Sequence, residues 1–210
     1  MDILSRISKC LQEGEEELAG NLVREAIAAG LAPQKILDDG LIAGMGVIGE
    51  QFRKHEVFLP EVLLAARAMY AGLDELKPLL EKAGIKTRGK IVLGTVQGDL
   101  HDIGKNLVAI MLRGAGFEVI DLGNDVPPRR FVDAVKETGA GVVGMSALLT
   151  TTMPVMGKVI SLLREEGLAG RVKVVVGGAP LSADYAREIG ADAYAYDGSK
   201  AVETVSALLR

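Results

Sequence analysis

The chain is poor in several residue types, and each shortage removes a class of function. It has no Trp, four Phe and four Tyr, which leaves no aromatic platform for stacking bases. With a net charge of −4 and no basic tract, it also offers no electrostatic footprint for nucleic acid. Cys10, the one cysteine, excludes internal disulfides and any thiolate metal cluster, and fits a small hydrophobe on the first helix. Of the two histidines, His55 stands between Lys54 and Glu56 and belongs to a solvated turn. Long apolar runs are missing too. The uncharged stretch at residues 40–49 is too short to span a bilayer, and Met1-Asp2-Ile3-Leu4 lacks a signal region. The expectation is a soluble, cytoplasmic protein with no nucleic-acid and no membrane partner.

What is present divides into two textures. At 210 residues and 49% hydrophobic composition the chain is long enough for two small cores. Up to about residue 84 the apolar residues recur at spacings of three and four: Ile3-Leu4-Ile7-Leu11, Leu18-Leu22-Ala26, Ile36-Leu37-Leu41-Met45-Ile48-Phe52, and Leu59-Val62-Leu63-Ala66-Met69-Leu73-Leu76-Leu80. Each set gives a helix with one apolar face, so the first half reads as a four-helix bundle. Pro33 and Pro60 fall in first turns, where the missing N–H is harmless.

The second half alternates short Val- and Ile-rich runs at residues 91–96, 117–122, 141–147, 172–176 and 193–196 with helical patterns after Pro127, Pro154, Ser182 and Ser199. Such an alternation predicts a doubly wound, five-stranded parallel sheet covered on both faces. Between the halves, residues 82–90 are basic and glycine-punctuated, which predicts a boundary and hinge, with a helical domain at 1–86 and an α/β domain at 87–210.

His101 sits in Gly98-Asp99-Leu100-His101-Asp102-Ile103-Gly104-Lys105-Asn106, between the first strand and the next helix. In open α/β sheets that crevice is where ligands bind, so a lone metal-capable imidazole is placed for chemistry. The loop is not a phosphate loop. Gly98 and Gly104 are separated by five residues rather than four, Asn106 replaces the Ser or Thr that would reach magnesium, and Asp99 and Asp102 would repel a polyphosphate.

The spacing Asp99-x-His101-x-x-Gly104 matches the signature of corrinoid (vitamin B12) binding domains, and three further segments at strand ends extend the match: Ser146-Ala147-Leu148 with Thr150 and Thr152, Gly177-Gly178, and Asp197-Gly198-Ser199. The segment from Val57 to Met69 resembles the helical cap that precedes the corrinoid domain in methyl-transfer proteins, including cobalamin-dependent methionine synthase. The resemblance covers essentially the whole chain. It implies a flavodoxin-like strand order 2-1-3-4-5 and a cobalt-containing corrinoid (cobalamin or a related B12 form). It further implies His101 as lower axial ligand and a cofactor-binding set of Gly98, Asp99, Leu100, His101, Asp102, Ile103, Gly104, Ser146, Leu148, Thr150, Gly177, Gly178 and Gly198. Asp99 is placed to fix the imidazole tautomer, with the Thr152 hydroxyl behind it, although the family has serine at that position. Phe58 is the candidate for shelter over cobalt, whereas Met69 reads as core. Ser199 is expected to cap the last helix.

The function so implied is a methyl carrier working between a substrate:corrinoid methyltransferase and a corrinoid:acceptor methyltransferase, with a reductive activase as a further partner. The alternatives are an adenosylcobalamin-binding regulatory or sensor domain and a mutase small subunit. Nothing in the residues indicates whether the donor is a methylamine, methanol or a methoxylated aromatic.

Overall fold

The computed structural model describes residues 2–83 and 87–209. The chain forms two compact units, Met1–Thr87 with Gly114–Gly116, and Arg88–Arg113 with Phe117–Arg210. The boundary expected at 82–90 includes residues 84–86, which lie outside the described ones.

The first unit is helical. α1 (Ile3–Gln12) starts where the Asp2 carboxylate accepts from Ser5 N at 2.8 Å, and it buries Ile7, Cys10 and Leu11. α2 (Glu16–Ala28) buries Ala19, Leu22, Val23 and Ala26, and packs along α5 (Leu59–Lys82). Between them the third expected helix is composite. α3 (Pro33–Lys35) and α4 (Ala43–Arg53) flank a π-helical stretch, Ile36–Ile42. Within these seven residues only Ile36, Leu37, Leu41 and Ile42 mark the apolar face, too few for periodicity to tell an i→i+5 turn from an i→i+4 one. Gly40 lies in that stretch, where a Cβ would stand 3.2 Å from Ile7.

Cys10 and Met69 are buried, as expected, and His55 occupies an exposed turn. Burial pushes the Cys10 thiol up to about 11. Phe58 precedes α5, and its N–H donates to the Glu61 carboxylate at 3.0 Å. Its ring is 63% exposed, so it is not a core residue of the bundle.

The second unit is a doubly wound α/β fold. Its described strands are β1 (Lys90–Thr95), β2 (Glu118–Asp121), β3 (Val142–Ser146), β4 (Lys173–Gly177) and β5 (Ala193–Tyr194), all parallel, in the order β2-β1-β3-β4-β5. The connecting helices are α6 (Ile103–Gly114), α7 (Pro128–Thr138), α8 (Pro154–Glu165) and α9 (Ala183–Ile189), with α10 (Gly198–Leu208) after β5. A core of Val92, Val96, Phe131, Val143, Val174 and Met156 lies between sheet and helices.

Two expectations need correction. β5 is shorter than the predicted run at 193–196, because Tyr196 leaves the ladder and becomes exposed. α10 starts at Gly198, and its cap is Asp197, whose carboxylate accepts from Lys200 N at 2.7 Å, rather than Ser199. An aspartate in extended conformation just ahead of the helix accepts that N–H at least as well as a serine one turn position later.

Because β1 lies between β2 and β3, the loop after β1 and the loop after β3 emerge side by side where the winding reverses direction. Thr95 pairs with Ser146, and Val96 N–H continues the contact to Ser146 O at 3.0 Å.

Candidate functional site

That adjacency assembles the site around one carboxylate. Asp99 is fully buried, yet among the described residues no Lys or Arg pairs with it. Instead its two oxygens are saturated by donors from both loops. Oδ1 accepts from His101 Nδ1 at 2.7 Å and His101 N at 3.1 Å, while Oδ2 accepts from Leu148 N at 2.7 Å, Leu149 N at 3.2 Å and Thr152 Oγ1 at 3.0 Å. Burial alone would push this carboxyl's pKa up. The hydrogen bonds from Leu148, His101 and Thr152 outweigh it and hold the group well below the usual carboxylate range.

An ionised Asp99 dictates what its neighbours do. With a carboxylate at Nδ1, the imidazole carries its proton there, so Nε2 is left with a free lone pair. The Thr152 hydroxyl also lies 2.9 Å from Leu149 O, but its single proton goes to the anion while Asp99 is charged. His101 itself is half in water, its side chain 51% exposed, so the site presents an oriented imidazole on a buried, fixed base. Exposed apolar side chains surround the two loops: Leu100, Ile103, Leu148 and Leu149, with Tyr196 after β5.

Among the described residues no group of three or more His, Cys, Asp or Glu could hold a metal ion. The donor set therefore suits a metal that arrives with its other ligands, needs one imidazole, and brings an apolar periphery for those exposed side chains. A corrinoid meets all three conditions.

The structure brings together Asp99, His101, Leu148 and Thr152, as expected. Gly98, Leu100, Ile103 and Thr150 are exposed around them, while Asp102 stands at the start of α6, its carbonyl accepting from Asn106 N at 2.7 Å. Gly104 has open space where a Cβ would be. Ser146, Gly177 and Gly178 end their strands, half-buried. For Gly178 the structure supplies a reason unrelated to any ligand. Its φ is +133° and a Cβ would fall 1.9 Å from Ala147 O, so only glycine lets the β3 and β4 ends approach. At Gly198 a Cβ would meet Met111 Sδ, the far end of a flexible side chain that can move aside.

Sequence reasoning missed four contributors. Thr95 is buried and donates through Oγ1 to His101 O at 2.9 Å. Asn124 and Asp125, after β2, bind the backbone of the His101 loop. Lys105 is buried and bridges both Asp121 oxygens at 2.7 Å. An opposite-charge pair on neighbouring elements was the available signal for Lys105, and its engagement there completes the case against phosphate binding. The loop partners of residues 98–101 left no signal, because they satisfy backbone groups, and Asn124 and Asp125 lie 24 and 27 residues from the groups they bind.

Comparisons with known proteins agree with this geometry. Residues 89–206 match a B12 binding domain family, and residues 3–77 match a second family of the same description. The chain is 44% identical over 210 residues to trimethylamine corrinoid protein 1 of Methanosarcina mazei, covering 99% of this chain and 97% of that one. It is 50% identical over 180 residues to the dimethylamine corrinoid protein of Methanosarcina barkeri, covering 85% and 84%. Among solved structures, a chain of the methanol:cobalamin methyltransferase complex MtaBC from Methanosarcina barkeri superposes with a TM-score of 0.88 at 33% identity, covering 99% of this chain and 79% of that one.

Proposed function

This chain belongs to the B12 binding domain family, and we propose that it carries a methyl group on a corrinoid between a substrate:corrinoid methyltransferase and a second methyltransferase that removes it. The observation that carries the proposal is the buried, saturated Asp99 holding a half-exposed His101 by Nδ1. Relatives named for methylamine and methanol systems match over nearly the whole chain, helical unit included, and that weighs against the adenosylcobalamin regulator and mutase alternatives.

The bound corrinoid supplies the cobalt on which the methyl group rides. The chain's residues supply the lower ligand and its control. His101 would hold the cobalt through Nε2, with the Asp99 carboxylate at Nδ1 fixing the tautomer that leaves that nitrogen's lone pair free. Thr152, Leu148 N–H and Leu149 N–H keep Asp99 ionised throughout. Exposed Leu100, Ile103 and Leu148 would receive the apolar edge of the ring, and Ser146, Thr150, Gly177, Gly178 and Gly198 would border the nucleotide tail. In the helical unit the exposed Phe58 is the candidate shelter for the methyl group. The donor is chosen by the partner methyltransferase, and a reductive activase restores the carrier after adventitious oxidation.

The test loads the purified chain with cobalamin, reduces it, and adds methyltransferases encoded beside its gene together with trimethylamine, dimethylamine or methanol. Methylation of cobalt, followed by visible absorbance, is expected with one donor class. A chain that binds corrinoid but is methylated with none of them is not a carrier in such a system.

A further inference from the structure

Between β1 and α6 the segment at residues 97–102 has no secondary structure of its own, and Gly98, Leu100 and His101 are exposed. Its backbone groups are nonetheless tied in succession. Gly98 N–H donates to Asp125 Oδ1 at 2.7 Å, Asp99 O accepts from Asp125 N at 3.0 Å, Leu100 O accepts from Asn124 Nδ2 at 3.2 Å, and His101 O accepts from Thr95 Oγ1 at 2.9 Å. Three of these four ties come from two adjacent residues of the loop after β2. Asp125 makes two of them, one on each side of the Asp99 Cα, so it orients the peptides that aim the Asp99 carboxylate.

The conformation of Asp125 sharpens the point. Its φ is +52°, one of two such values among the described non-glycine residues. Two positions earlier, where a left-handed turn is needed and no side-chain acceptor is used, the chain has Gly123 at φ +82°. Glycine would fit position 125 with less strain, but it has no carboxylate for the Gly98 N–H. Aspartate is among the residues that tolerate this region and it also brings the acceptor.

We propose that Asp125 is a positioning residue, holding the loop after β1 in the shape in which Asp99 can orient His101 toward cobalt. This rests on His101 being the cobalt ligand. The side chain hydrogen-bonds neither the imidazole nor Asp99's carboxylate; it acts through the Gly98 N–H, while the residue's main-chain N–H holds the Asp99 carbonyl. A strained, charged residue outside the signature thus belongs to the ligand's support.

Three variants separate shape from hydrogen bonding. Asp125→Asn keeps an acceptor oxygen and tolerance for the backbone angle. Asp125→Gly keeps the angle and loses the acceptor. Asp125→Ala loses both. Each is produced with 15N-labelled histidine and loaded with cobalamin, and the Co(II) form is examined by electron paramagnetic resonance for axial 15N coupling, which the cofactor's own base cannot give, alongside wild type and His101→Ala, with circular dichroism to confirm the fold. Wild type and Asp125→Asn are expected to show coupling in nearly all the protein, whereas Asp125→Gly and Asp125→Ala lose histidine coordination by roughly tenfold in the on/off ratio. Coupling in Asp125→Gly equal to wild type overturns the proposal, as does equal loss in Asp125→Asn. If wild type itself shows no histidine-derived coupling, the premise about His101 has failed instead, so the two failures are told apart.

Discussion

Two aspartates at neighbouring loop ends, Asp99 after β1 and Asp121 closing β2, bind their surroundings in opposite ways. Asp121 faces a cation. The Lys105 ammonium is 1% exposed and bridges both its oxygens, while Asp121 itself is 25% exposed. Asp99 has no Lys or Arg partner among the described residues and is buried completely, held by neutral N–H and O–H donors and by an imidazole that is half exposed. The ion pair joins α6 to β2 and leaves nothing over for a ligand. The carboxylate without Lys or Arg keeps its electrostatic influence for the one partner with a free nitrogen. Buried charge alone therefore does not mark a functional site; a buried charge whose effect reaches an accessible atom does.

The largest effects should come from breaking the ion pair, and they should be asymmetric. Asp121→Ala strands a buried ammonium and is expected to destabilise the chain by about 3 kcal/mol or more, whereas Lys105→Ala leaves a carboxylate that water can reach and should cost less. Chemical denaturation checks the order, and equal losses would show that Asp121 is as poorly solvated as its partner. Where these variants still fold, corrinoid coordination through His101 should persist.

Asp99→Asn comes next, and acts on both stability and chemistry. Wherever the amide NH2 is placed it faces a donor: Leu148 and Leu149 N–H on one side, His101 N–H on the other. Roughly 1–3 kcal/mol of stability should be lost at neutral pH. On the His101 side the NH2 would also favour protonation at Nε2, so metal affinity or methyl transfer should fall by about 10 to 100-fold. The stability gap carries a pH signature. The folded carboxyl is depressed, so Asp99's contribution is fully present above the unfolded value of about 4 and fades as pH falls from there toward its folded value. Denaturation midpoints of wild type and variant should converge in acid; a gap independent of pH would mean that ionisation is not what Asp99 contributes.

The smallest structural effect should be that of Phe58→Ala, in the helical unit. The ring is largely exposed, so stability should change by no more than about 0.5 kcal/mol. Photolysis of the methyl-cobalt form should nevertheless accelerate, and unchanged photolysis would remove Phe58 from the shelter.

The sheet and the aspartate–histidine pair were legible in the sequence because both are written in local patterns: Val-rich runs between helical periods, and a signature whose spacing survives in one loop. The α10 cap and the π-helical stretch at Ile36–Ile42 were not. A cap depends on which of several neighbouring oxygens meets an N–H, and a seven-residue π stretch holds too few apolar positions to reveal its period. Thr95, Asn124 and Asp125 were invisible for a different reason. They bind main-chain groups, which no residue spacing encodes, and for Asn124 and Asp125 the contact further depends on the strand order that brings the loop after β2 beside the loop after β1.

The measurement that bears most directly on the account is electron paramagnetic resonance of the Co(II) protein prepared with 15N-labelled histidine. Axial coupling should change from a 14N to a 15N pattern in the labelled wild type and vanish in His101→Ala. Coupling that stays 14N, or that survives in His101→Ala, would mean that the nitrogen under cobalt is not the imidazole Asp99 holds.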